Sequence, residues 1–103
     1  MRATLYMKVK VGREQEFERV WQTIAERVCL EPGNLRQSLL RDTTGASSFV
    51  ITSDWENREA FAQFERSPGQ DALTAPLREL RESTRMVVYD VVADVEARTQ
   101  QTS

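Results

Sequence analysis

Residues 51–73 read ITSDWENREAFAQFERSPGQDAL. The stretch opens as a strand that ends on Trp55, offers Asn57 as a helix cap, and breaks at Ser67-Pro68-Gly69. Asparagine at an N-cap satisfies an orphan backbone N–H, and Glu59 puts a negative charge in the first turn, where the helix dipole favours it. Phe61 and Phe64 lie three apart and share one helix face. A ring at a strand end, facing a helix that carries two more, walls an apolar hollow suited to a flat guest.

Upstream of it, Ala3, Leu5, Met7, Val9 and Val11 alternate with Arg2, Thr4, Tyr6, Lys8 and Lys10, the period of a strand. After Gly12 a helix is expected from Arg13 to Glu31. Phe17, Val20, Trp21, Ile24, Ala25 and Val28 form its core stripe, so Trp21 reads as packing. Pro32-Gly33-Asn34 turns the chain into a second strand, residues 35–41, with Leu35, Gln37 and Leu39 on one face. A polar loop over 42–47 leads to a third strand, residues 48–55, with Phe49, Ile51, Ser53 and Trp55 on one side. Beyond Ser67-Pro68-Gly69 a further helical piece is expected over 71–82, where Pro76 is tolerable only near a first turn. A fourth strand is expected over 84–93.

The order β-α-β-β-α-β gives a ferredoxin-like α+β fold: a four-stranded antiparallel sheet with helices on one face. Residues 1–93 form the single expected domain and 94–103 a polar C-terminal extension. In the fourth strand Val87, Tyr89 and Val91 oppose Met86, Val88 and Val92, and Val50 opposes Phe49 and Ile51. Helices cover one face only. Burying one Val or Leu stabilises by roughly 1.5–3 kcal/mol, so a sheet-to-sheet homodimer is expected.

Composition narrows the chemistry. The 103 residues include no histidine and a single cysteine, Cys29. That removes the usual neutral-pH base, the Ser-His-Asp and Cys-His arrangements, and imidazole metal sites. No intrachain disulfide is possible. The net charge of −2 argues against a nucleic-acid partner, and no run approaches the roughly 20 apolar residues of a membrane span. A cytoplasmic location, with no metal, is the expectation.

Trp55-Glu56-Asn57-Arg58-Glu59-Ala60-Phe61, followed by Ser67-Pro68, resembles the W-x-S-x-E-A-F…S-P signature of antibiotic biosynthesis monooxygenase (ABM) domains. The resemblance runs from about Ala3 to Val92. It implies a dimeric α+β barrel and oxidation of a phenolic or anthrone-type polyketide to a quinone by dioxygen, without cofactor. Haem-degrading relatives use an asparagine, a tryptophan and a histidine where this chain has Met7, Trp55 and Thr74. Without histidine the axial iron ligand is missing. Quinone-forming relatives add an asparagine, a tyrosine and a histidine at positions held here by Ile51, Phe61 and Phe64. The expected substrate-binding residues are Trp55, stacking on the guest, with Ser53, Gln37, Met7, Phe61 and Phe64. No catalytic residue stands out, and Arg36, Arg41 or Arg85 could balance anionic charge. The alternatives are a non-catalytic dimer that holds a polyketide or assists its cyclisation, and a small-molecule sensor of the same strand order.

Overall fold

The computed structural model describes residues 1–98. Its elements are β1 (Arg2–Val9), α1 (Glu14–Val28), β2 (Asn34–Arg41), β3 (Ser48–Trp55), α2 (Arg58–Arg66), α3 (Gln70–Leu80) and β4 (Arg81–Tyr89). The four strands form one antiparallel sheet in the order β2-β3-β1-β4. This is the ferredoxin-like arrangement the sequence implied.

Alternation sorts the sheet into two faces. Ala3, Met7, Val9, Phe49, Ile51 and Trp55 are buried beneath the helices, and α1 adds Phe17, Ile24, Ala25 and Val28. Phe17 and Phe49 pack with ring centroids 5.1 Å apart. On the opposite face, Tyr6 pairs with Val50 and Arg85, and Thr4 with Thr52 and Val87. That face is more polar than its valines suggested. Arg2 and Asp54 form an ion pair of 2.6 Å there, and the Arg85 guanidinium lies 4.7 Å above the Tyr6 ring.

Four boundaries differ from expectation, each for a physical reason. Helix α1 stops at Val28, not Glu31. Leu30 and Glu31 already donate to carbonyls three residues back, and Pro32 disfavours a helical residue before it. Val11 is 83% exposed because β1 ends at Val9, where the Lys10 amide turns to the Leu80 carbonyl. Leu35 is exposed because the β2–β3 register shifts between Asn34 and Arg36, leaving Leu35 off the ladder. Helix α3 runs through Pro76 and passes into β4 without a loop, so the last strand begins three residues early and ends at Tyr89. Residues 90–98 carry no regular structure, and 99–103 of the expected extension lie outside the described residues. No helix among the described residues is long and apolar enough to cross a membrane.

Candidate functional site

Between the sheet and its helices lies a partly open cavity of about 250 Å³. Ala3, Leu5, Met7, Gln37, Ile51 and Ser53 form its floor. Trp21, Ile24 and Val28 of α1 and Phe61 and Phe64 of α2 form apolar walls, and Thr74, Leu77 and Arg78 of α3 complete them. Typical small-molecule pockets span roughly 300–1,000 Å³, so the guest is compact.

Two local features hold the α2 wall. The Asn57 side chain accepts the Ala60 amide at 2.8 Å, fixing the helix start. Gly33, at φ +83°, lets the turn before β2 pass so close that a Cβ there would meet the Ala60 Cβ at 2.5 Å.

Five of the six expected binding residues line this space: Met7, Gln37, Ser53, Phe61 and Phe64. Trp55 does not. Its ring is 1% exposed and packs behind the wall, 5.7 Å from Phe61 and 5.2 Å from Phe64 between centroids. A tryptophan shielded in this way supports the wall and offers no face for stacking. The tryptophan at the cavity is Trp21, which the helical stripe marked as packing alone. It sits at the margin of the stripe, so one side reaches the core and the other the cavity. The arginines also differ from expectation. Arg36 pairs with Asp54 and Arg85 with Tyr6 on the opposite face, and Arg41 is exposed at an edge. Arg78 and Arg81 are the ones that line the cavity.

Ser53 is the polar centre of the floor. Its Oγ accepts from Trp55 Nε1 at 2.7 Å and from Gln37 Nε2 at 2.6 Å. A hydroxyl oxygen has two acceptor positions and one proton to give. With both lone pairs engaged, the Ser53 O–H is left to donate elsewhere, and the cavity is what it borders. At the rim, Glu65 is the only carboxylate among the described lining residues. No cluster of three or more potential metal ligands occurs among the described residues.

A family model for antibiotic biosynthesis monooxygenases matches residues 1–76. The chain belongs to that family. Among solved structures it resembles SnoaB, a cofactor-independent oxygenase from Streptomyces nogalater, seen as a point mutant. That match is 24% identical, covers 93% of this chain and 96% of that one, and has a TM-score of 0.84. Two curated relatives come from Streptomyces. A 42.8 kDa protein in the whiE locus of Streptomyces coelicolor is 25% identical over 93% of this chain and 24% of its own length. Protein SchA of Streptomyces halstedii is 22% identical over 91% of this chain and 25% of its own. The chain thus spans about a quarter of the length of these curated relatives.

Proposed function

We propose that this ABM-family domain oxidises a compact polycyclic phenol or anthrone-type polyketide intermediate to a quinone, using dioxygen and no cofactor. The observation that carries the reading is the largely apolar cavity with Ser53 in its floor, its Oγ already accepting from Gln37 and Trp55. An anthrone has an acidic ring CH₂ flanked by aromatic rings. Removing one proton gives a carbanion whose charge spreads onto the ring oxygen, and a hydrogen-bond donor fixed there stabilises it. The anion passes one electron to dioxygen, the radicals combine at carbon, and the hydroperoxide loses water. One oxygen atom stays as the new carbonyl and the other leaves in water. The protein's part is to exclude water from the rings and hold them flat against Phe64 and Trp21. Ser53 donates to the oxyanion, and the C–H proton departs at the rim beside Glu65. The family resemblance and the likeness to a cofactor-independent oxygenase support this reading.

The test is purified protein with an anthrone in air, free of metal and flavin, followed by quinone absorbance. Quinone forms above the spontaneous rate. A second reading has its own support: Ile51, Phe61 and Phe64 occupy positions where quinone-forming relatives carry polar groups. On that reading the domain binds the polyketide for another enzyme. Tight binding with no acceleration across several anthrones would select it. Under either reading the functional unit is a homodimer joined through the open sheet faces.

A further inference from the structure

Among the described residues, one of the two arginines lining the cavity has no ion-pair partner. Counting back along β4 from Val88 and Met86, simple alternation puts Arg81 on the open face with Ser83 and Arg85. The register says otherwise. Lys8 pairs with Ser83 but Val9 pairs with Arg81, so Glu82 is an extra residue, a bulge. Val9 is 1% exposed in the core, and Arg81, brought opposite it, joins the cavity lining. Bulges re-aim side chains in this way.

Arg81 is partly buried, and among the described residues no carboxylate forms an ion pair with it and no hydrogen bond reaches its side chain. Burial, then the positive charge of Arg78, holds its pKa below the usual arginine value, though arginine stays cationic at neutral pH. Arg78 is tied down. It donates to Thr74 Oγ1 at 2.8 Å and to the Asp71 carbonyl at 2.9 Å, with the Asp71 carboxylate 3.2 Å away. Two neighbouring cations, one neutralised and one not, leave a net positive end to the cavity, whose single lining carboxylate among the described residues, Glu65, is exposed and forms no ion pair with Arg81. A partly buried charge without a partner is unfavourable until an anion arrives.

We propose that Arg81 is the anion-binding group of this cavity and that its guest is a planar aromatic compound bearing a carboxylate. This rests on the cavity being the ligand site. A carboxylate matches the guanidinium fork with two parallel hydrogen bonds. Ser53 pairs with Ala3 and Arg81 with Val9, six residues apart on β1, and both line the one cavity. The two polar groups therefore address opposite ends of the guest: a ring oxygen at Ser53 and a carboxylate at Arg81.

The experiment compares anthraquinone-2-carboxylate with its neutral primary amide, titrated into the full chain and followed by tryptophan fluorescence. Charge-assisted hydrogen bonds predict at least about tenfold tighter binding of the acid, with salt weakening the acid alone. Arg81→Gln brings the acid down to the amide's affinity and leaves the amide unchanged; Arg81→Lys keeps part of the difference. Equal affinity of acid and amide for the wild-type chain, or an equal loss of both in Arg81→Gln, would overturn the assignment while cavity binding stands. Failure of both probes to bind would overturn it together with the reading beneath it. The wild-type comparison needs no variant, so it decides the matter even if Arg81→Gln folds poorly.

Discussion

At Trp21 and Trp55 the same side chain has opposite duties. Trp55 is enclosed, its N–H spent on Ser53. Removing a buried ring of this kind leaves a void its neighbours only partly close, costing about 3–5 kcal/mol. Trp55→Ala is therefore a stability variant, and a denaturant melt will show the loss before any ligand is added. Trp21 borders the cavity, so its ring is the one that senses a guest. The separating measurement uses conservative variants: Trp21→Phe abolishes ligand-induced quenching, while Trp55→Phe retains it. Quenching that survives in Trp21→Phe and vanishes in Trp55→Phe would reverse the two assignments. Composition and spacing could not make this distinction. A tryptophan ending a strand and a tryptophan on a helix stripe are both apolar surface until the layers are stacked.

The turn before β2 and the start of α2 meet at Gly33 and Ala60, and this contact sets how the cavity wall leans. Gly33→Ala adds a methyl group 2.5 Å from the Ala60 Cβ on a backbone at φ +83°. Overpacking costs about 1–3 kcal/mol, and a left-handed backbone at a non-glycine residue adds about 1–2 kcal/mol. Gly33→Ala should thus lower stability by several kcal/mol. Gly12→Ala should lose only the backbone part, since nothing lies within 4 Å of a Cβ there. Thermal melts of the two variants check the difference, and equal losses would mean that the contact is not tight. The elements on either side were readable: β3 and α2 begin and end as the alternation and the Asn57 cap foretold. Less readable were places where the ladder departs from period two. Leu35 and Arg81 each sit beside a register shift, which no local spacing encodes. The sheet gained a cavity cation that way, whereas the sequence reading offered Arg36, Arg41 or Arg85.

For the molecule as a whole, the helices and the cavity occupy one side of the sheet, and among the described residues no helix packs on the other side. Tyr6, Val50 and Val87 form its middle, with Leu40 50% exposed and Tyr89 44% exposed toward the edges. Past Tyr89 the chain brings Val91 and Val92 beside the same face, and Val92 is 96% exposed. Tyr6 and Tyr89 hydroxyls lie 3.3 Å apart, so one donates to the other and the remaining O–H is left for an acceptor across an interface. A second copy presenting the same face would cover all of these groups at once, as a two-fold interface does. In solution the chain should therefore run at about twice its 11.9 kDa mass. Val50→Asp places a charge at the centre of that interface, where the penalty is paid by both subunits, and should return the mass to that of one chain. Leu40→Lys, at a half-exposed position, should weaken association while leaving the folded protomer untouched. Light scattering behind a sizing column reads all three, with circular dichroism confirming that the variants remain folded. A wild-type chain that stays monomeric at tens of micromolar would show that the open face lives in water, and the polar pairs Arg2–Asp54 and Arg85–Tyr6 would then be what makes that tolerable.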